Sequence, residues 1–75
     1  MSRKQSFQER LRLLRTEKGL SQRQVAEEFG ITKVGYQNYE AGRREPSLDA
    51  LSALADFFNV SIDYLFGRTD NPRVA

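Results

Sequence analysis

Five hydroxyl residues each precede a stretch of apolar side chains with helical spacing, and this feature constrains the fold more than any other. Serine and threonine favour the position before a helix, where the hydroxyl accepts a hydrogen bond from a backbone N–H group without a helical partner. These residues are Ser6, Ser21, Thr32, Ser47 and Ser61. No stretch alternates apolar and polar residues in the manner of a strand. The pattern predicts an all-α domain of five short helices.

Acidic or amide residues placed three positions after the first two serines predict capping boxes at the starts of helices one and two. Glu9 and Gln24 occupy these positions, and their side chains can accept a hydrogen bond from the backbone of the serine. Apolar residues then recur at helical spacing until a glycine ends each helix. Helix one is predicted over residues 7–18 and helix two over residues 22–29.

The connection between helices two and three is very short. Only Gly30 and Ile31 separate the end of helix two from the capping residue Thr32. A turn of this length prevents antiparallel packing, so we expect the two helices to cross steeply. Helix three is predicted over about residues 33–41, with Gly42 as its stop.

Helix four has the clearest apolar stripe in the chain. It begins after Ser47, and the residues of the stripe are Leu48, Leu51, Leu54, Ala55 and Phe58. A last, short helix is predicted from Ser61 through Phe66. The sequence therefore predicts one domain over residues 1–67. The remaining residues, 68–75, lack an apolar period and are predicted to form a flexible tail.

The composition of the 75-residue chain excludes several classes of function. Cysteine and histidine are both absent, which excludes disulfides, the usual zinc sites, thiol nucleophiles and imidazole acid-base chemistry. We therefore expect no enzymatic activity, metal ion, cofactor or small-molecule substrate. No apolar run reaches membrane-spanning length, and the start of the chain lacks a signal-peptide core. A cytoplasmic location without membrane contact is the expectation.

Positive charge is concentrated in the first part of the chain. Residues 1–46 contain ten Lys and Arg and six acidic residues, whereas residues 47–75 contain two Lys and Arg and four acidic residues. The first segment therefore carries a net charge of +4 and the second a net charge of −2. A basic segment of this kind is typical of nucleic-acid binding, although many small domains are mildly basic.

Helix three separates aromatic and polar side chains onto opposite sides. On a helical wheel, Tyr36, Tyr39 and Glu40 share one side, and the tyrosines are expected to point inward. The opposite side carries Lys33, Val34, Gln37, Asn38 and Ala41. Lysine can donate to guanine, side-chain amides can pair with adenine, and valine can pack on a thymine methyl group. The outward side thus suits the major groove of DNA, although amides and a lysine also occur on ordinary exposed helices.

A glycine inside helix three, Gly35, costs roughly 1 kcal/mol of stability relative to alanine. The absence of a side chain there would let the backbone approach a phosphate or a base. The alternative is that the helix simply tolerates the glycine.

The segment SQRQVAEEFGITKVGYQNYEAGRREP resembles the phage-repressor-like (Cro/CI, or Xre) helix-turn-helix family. The positions that fit the family motif are Val25, Ala26, Phe29, Gly30, Ile31, Tyr36 and Tyr39. The resemblance continues on both sides and covers about residues 7–67. It implies a five-helix domain that binds double-stranded operator DNA, usually as a dimer, and regulates transcription. Repression is the expected outcome.

The resemblance also implies roles for individual side chains. The base-reading residues would be Thr32, Lys33, Val34, Gln37 and Asn38. Gln22, at the start of helix two, would hold a phosphate and brace the recognition helix, and the partial positive charge of a helix N-terminus favours this role over that of a plain surface glutamine. Further phosphate contacts are expected from Arg23, Gly35, Arg43 and Arg44.

Glu40 near the end of helix three requires a cationic partner, because a carboxylate there opposes the helix dipole. The resemblance implies that Arg15 is this partner, and we expect a structural ion pair. Arg10 and Arg12 on helix one are weaker candidates for phosphate contacts.

The acidic C-terminal part of the chain carries more aromatic surface than a small core requires. A twofold homodimer would cover it, and the predicted interface residues are Phe57, Ile62, Tyr64, Leu65 and Phe66. The alternative is that Ile62, Leu65 and Phe66 complete the core of the monomer. A second hypothesis for the whole chain is an antitoxin-like or protein-interaction module that binds a protein partner through this aromatic, acidic half.

Overall fold

The computed structural model describes residues 6–73, which form five α-helices and no strand. The helices are α1 (Phe7–Glu17), α2 (Gln22–Glu28), α3 (Lys33–Ala41), α4 (Leu48–Phe58) and α5 (Ile62–Leu65). The prediction of an all-α, five-helix fold is confirmed. Residues 1–5 of the predicted domain and 74–75 of the predicted tail lie outside the described residues. In the described part, no helix combines the length and the apolar character needed to cross a membrane.

Each helix starts at the hydroxyl residue that the sequence indicated. All five side chains accept a hydrogen bond from a backbone N–H group in the first turn. The capping boxes formed by Ser6 with Glu9 and by Ser21 with Gln24 are both complete. Local hydrogen bonds thus set the starts of the helices, independently of the packing between them.

Helices α1, α2 and α5 end one residue earlier than predicted, at Glu17, Glu28 and Leu65. Glycines at positive φ, between 67° and 77°, lie two residues after each of these ends. They turn the chain out of the helix, so the residue before each glycine becomes a cap rather than part of the helix.

The core lies between the helices and receives side chains from all of them. Its largest fully buried residues are Tyr36, Leu11, Leu65 and Val25. Helix α2 packs on α3, and α3 also packs on α1. The short turn between α2 and α3 is closed by a hydrogen bond from the Ile31 N–H to the Ala26 carbonyl, at 3.0 Å. Tyr36 is the buried residue of α3, and its side chain holds this helix against the core.

Leu48 differs from the predicted stripe of α4, because its side chain is 74% exposed. It is the first residue of α4, a full turn before the first buried residue of the helix, Leu51. Helical periodicity predicts which side of α4 faces the core, but it does not predict which residues along that side are buried.

Arg10 is only 2% exposed, so its expected role as a weak phosphate candidate is wrong. Its guanidinium group lies 4.1 Å from the centre of the Tyr64 ring and donates to the Tyr64 and Thr69 carbonyls. It also forms an ion pair with Asp70. The physical reason is its position three residues after Phe7, which places it on the buried side of α1.

The start of the predicted tail contacts the helices. In addition to the Arg10 contacts, the Ser61 N–H donates to the Pro72 carbonyl at 3.1 Å. Hydrogen bonds therefore extend past residue 67, where the sequence places the domain boundary, although residues 68–73 contain no helix. The flexibility of the tail stays a prediction.

Candidate nucleic-acid interface

Helix α3 presents its two sides as the helical wheel indicates. Tyr36 is fully buried and Tyr39 packs partly buried against the core. On the opposite side Lys33 and Val34 are exposed, and Val34 retains 63% of its accessible surface. Gln37 and Asn38 are half-buried at the flank of the helix. The first turn of α3 is therefore its most accessible part.

The N-terminus of α3 depends on Thr32, whose hydroxyl accepts a hydrogen bond from the Gly35 N–H at 3.0 Å. A Cβ atom at Gly35 would lie 3.1 Å from the Thr32 hydroxyl oxygen, closer than side chains ordinarily approach. The contact would be tight, but the other four caps accommodate a Cβ atom at the equivalent position, so the cap alone does not require the glycine. Close approach to a phosphate stays a prediction.

Glu40 lies at the centre of a polar network that fixes the C-terminal half of α3. Its side chain is 5% exposed and forms the expected ion pair with Arg15, with 2.6 Å between Arg15 Nε and Glu40 Oε2. Arg15 Nη2 donates to the other carboxylate oxygen at 3.2 Å, and Nη1 donates to the Leu20 carbonyl. The ion pair therefore joins α1 and α3 and also holds the turn before α2.

Tyr36 also belongs to this network, which sequence reasoning missed. Its hydroxyl donates to Glu40 Oε2 at 2.6 Å. The two residues are four positions apart on α3, a spacing that brings side chains together and could have indicated the contact. Burial, and then the hydrogen bond to Glu40, raise the pKa of the Tyr36 hydroxyl far above its ordinary value.

The charge on Glu40 is stabilised by its partners. Burial acts to raise the pKa of this carboxyl group, because removal from water disfavours the charged form. The hydrogen bonds from Arg15, Tyr36 and Gln22 outweigh burial and hold the pKa below its ordinary value. Glu40 is thus an ionised carboxylate at neutral pH.

Gln22 connects the network to Gln37, one of the predicted base-reading residues. Its amide Nε2 donates to Glu40 Oε1 at 3.1 Å, and its Oε1 accepts from Gln37 Nε2 at 3.0 Å. Gln22 therefore braces α3 from the start of α2. Its contact with a phosphate stays a prediction.

A shallow concavity of about 350 Å³ lies beside this brace. Its lining residues are Arg12, Arg15, Gln22, Gln37, Glu40, Ala41 and Arg43. Sequence reasoning gave Arg12 little weight. Arg12 lies three residues before Arg15, a spacing that places both side chains on one side of α1. This spacing could have indicated that Arg12 lies near the flank of α3. The exposed side chains of Arg12 and Arg43 thus border the flank of α3 that carries Gln37.

The segment after α3 is held close to the helix. The N–H groups of Arg43 and Arg44 donate to the Asn38 carbonyl, at 2.9 and 3.3 Å, and Gly42 adopts a φ of 76°. Both arginine side chains are exposed, as is that of Arg23 on α2. Three candidate phosphate-binding arginines therefore lie before and after α3 in the chain. Arg23 lies on α2, and Arg43 and Arg44 lie in the segment that follows α3.

The predicted dimer residues do not form one exposed patch. Leu65 is fully buried inside the monomer, so its assignment to an interface is wrong and the alternative, a core role, is correct. Phe57 packs edge-on against Phe29, with 5.3 Å between ring centres. Ile62 and Tyr64 are half-buried. Phe66 is the most exposed of the set, at 36%, and its ring contacts Phe7.

Comparisons with known proteins agree with this geometry. A family model described as helix-turn-helix matches residues 11–65. The uncharacterized HTH-type transcriptional regulator YobD of Bacillus subtilis is 47% identical over 64 residues, which cover 85% of this chain and 57% of YobD. The HTH-type transcriptional regulator AnsR of the same species is 43% identical over 67 residues, 89% of this chain and 58% of AnsR.

A phage protein is also similar. The transcriptional repressor RstR of the cryptic phage CTXphi in Vibrio cholerae is 39% identical over 62 residues, which cover 83% of this chain and 55% of RstR. The chain thus spans a little over half the length of these relatives. The matched segment contains the turn between α2 and α3, the buried Tyr36 and the Arg15–Glu40 pair. The chain therefore belongs to the phage-repressor-like (Cro/CI, or Xre) helix-turn-helix family.

Proposed function

We propose that this chain binds double-stranded DNA in a sequence-specific manner and regulates transcription, with α3 in the major groove of an operator half-site. The observation that carries the proposal is the division of α3 into two sides. Tyr36 and Glu40 fix one side to the domain, while Lys33 and Val34 stay exposed on the other. A helix held in this way can enter the groove without losing its own packing.

Base reading is assigned to the exposed side and the adjoining flank of α3. Lys33 can donate to guanine O6 and N7, and Val34 can contact a thymine methyl group. Gln37 and Asn38 carry the amide groups that pair with adenine N6 and N7. The Thr32 hydroxyl lies at the start of the same surface.

Phosphate contacts are assigned to residues around this surface. Gln22, Arg23 and Gly35 belong to the helix-turn-helix, and Arg43 and Arg44 follow α3. Arginine side chains at such positions fix the orientation of the helix without reading sequence. The exposed Arg12 beside Arg43 joins this set on the basis of the shared concavity.

The proposal extends to a homodimer that represses transcription in the cytoplasm. RstR is a transcriptional repressor, and its similarity to this chain supports repression as the outcome. A twofold dimer would bring two α3 helices to half-sites about 34 Å apart. Phe66, with support from Phe57, Ile62 and Tyr64, is the candidate contact between copies.

Selection of binding sites from random duplex DNA, followed by footprinting, tests the proposal. We expect an enriched sequence with twofold symmetry and protected half-sites one helical turn apart. If no sequence is enriched at low salt while the protein captures another protein in a fixed ratio, the antitoxin-like alternative is correct. The comparisons do not favour that alternative.

A further inference from the structure

The Glu40 carboxylate forces one orientation on the neighbouring amide group. An ionised carboxylate can accept hydrogen bonds but cannot donate them. Gln22 lies 3.1 Å from Glu40 Oε1 and must therefore direct its NH2 group toward this atom. Oxygen and nitrogen of an isolated side-chain amide can exchange places, but this partner removes the choice.

The orientation of Gln22 determines that of Gln37. With the NH2 group of Gln22 directed to Glu40, its oxygen is the atom that faces Gln37. An oxygen accepts only, so Gln37 must direct its own NH2 group toward Gln22, at 3.0 Å. The orientation is thus passed from Glu40 through two amides to the flank of α3.

This orientation limits the hydrogen bonds that Gln37 can offer to a base. One of its two N–H bonds is engaged by Gln22, which leaves one N–H donor and the carbonyl oxygen. Adenine presents a donor at N6 and an acceptor at N7, so the remaining pair of groups matches it. Guanine presents two acceptors at O6 and N7 and would require both N–H groups.

We propose that Glu40, acting through Gln22, is a positioning residue that sets the donor and acceptor order of Gln37 and makes it select adenine against guanine. The inference rests on the proposed function, because it concerns the same reading surface. It assigns to the Glu40 network a role in sequence preference in addition to its role in holding α3.

The test uses the full chain and the operator obtained by selection. Replacement of Gln37 by alanine (Q37A) first identifies the base pair at which preference disappears. At this base pair the unmodified protein should prefer adenine to guanine by about 10-fold to 100-fold. The variant Gln22→Met keeps the length of the side chain but removes the brace, and it should lower this ratio several-fold while preferences at other base pairs persist.

The transfer of orientation from Glu40 through Gln22 to Gln37 is called the relay below. Two further variants distinguish the relay from a simple phosphate contact of Gln22. Arg23→Met, one residue away, should weaken binding to all duplexes alike and keep the adenine preference. The double variant Q22M/Q37A should show the same base preferences as Q37A, because Gln22 affects base preference only through Gln37. If Q22M also weakens all duplexes alike and keeps the ratio, Gln22 is only a phosphate contact and the relay is overturned.

The Glu40→Gln variant tests the origin of the orientation. A neutral amide at position 40 can present either oxygen or nitrogen to Gln22, so a folded E40Q protein should show a lowered adenine preference, as Q22M does. An unchanged adenine preference in folded E40Q would show that Glu40 does not set the orientation of Gln22. If E40Q does not fold, the Q22M measurement tests the proposal. If no duplex is enriched at all, the proposed function and the relay both fail. If an operator is selected but Q22M leaves the ratio of adenine to guanine affinity unchanged, only the relay fails.

Discussion

At the scale of single residues, Glu40 makes four hydrogen bonds to three side chains, those of Arg15, Gln22 and Tyr36. Such a buried charge is tolerated because each partner donates to it. Loss of any one donor leaves part of the carboxylate without compensation. The stability of the domain should therefore respond to changes at these residues that barely alter volume.

Replacement of Tyr36 by phenylalanine should destabilise the domain. The ring continues to fill the core, but the hydroxyl that donates to Glu40 is lost, and a hydrogen bond to a charged group contributes about 1.5–3 kcal/mol. Urea unfolding measures the change. Tyr39→Phe is the matched control, since Tyr39 is half-buried on the same helix and its hydroxyl makes no hydrogen bond within residues 6–73. Equal effects of the two substitutions would contradict the network.

The stability of the domain should fall in acid in a way that depends on Glu40. Its pKa is lower in the folded protein than the ordinary value of 4.5, so the folded state favours the charged form. The resulting contribution is complete above about pH 4.5 and is lost as the pH falls through the lower folded value. The difference in unfolding free energy between the unmodified protein and E40Q should therefore shrink between pH 6 and pH 3. A constant difference would show that the charge of Glu40 contributes nothing.

Sequence reasoning reached these residues to different extents. Periodicity placed Tyr36 and Glu40 on the inner side of α3, because a helical wheel depends only on spacing. The partner Arg15 lies 25 residues earlier and came from the family resemblance alone. The direction of the Gln22–Gln37 hydrogen bond depends on rotamers that tertiary contacts select, so no spacing rule predicts it.

At the scale of helices, local chemistry explains the starts better than the ends or the burial. Each start is one side chain that accepts from a backbone group three residues later, a pattern visible in the sequence. Burial depends on the surrounding helices, and for this reason Leu48 and Arg10 were assigned to the wrong environments. Helix α3 combines both effects, since its cap is local and its anchor is Tyr36.

Replacement of Thr32 by alanine should destabilise the domain by about 1 kcal/mol, because the hydroxyl that accepts from Gly35 is lost. Thermal unfolding measures this change. Thr32→Ser keeps the hydroxyl and should remain close to the unmodified protein in stability. If the serine variant loses as much stability as the alanine variant, the methyl group of Thr32, and not the cap, supports the start of α3.

At the scale of the whole molecule, charge and function are divided along the chain. The net charge of +4 in residues 1–46 lies in the segment that contains α2, α3 and the arginines after α3. The C-terminal segment, with a net charge of −2, supplies α4, α5 and Phe66. The proposed DNA contacts all lie in the basic segment, whose charge would attract the phosphate backbone.

This division predicts how affinity for DNA depends on salt. Each phosphate contact that is lost should reduce the slope of log affinity against log salt concentration by about 0.9, because fewer counterions are released. Arg43→Gln or Arg44→Gln should therefore weaken binding to all sequences alike and flatten the slope by about one unit. Measurement of operator affinity between low and physiological salt gives the slope directly.

Arg68→Gln is the matched control, because it removes the same charge from an exposed side chain in the acidic segment, after α5. Its slope should equal that of the unmodified protein, although the net charge of the chain falls by the same amount. A slope that changes equally for Arg43, Arg44 and Arg68 would mean that DNA responds only to total charge. An oriented interface built on α3 requires that the first two arginines act and the third does not.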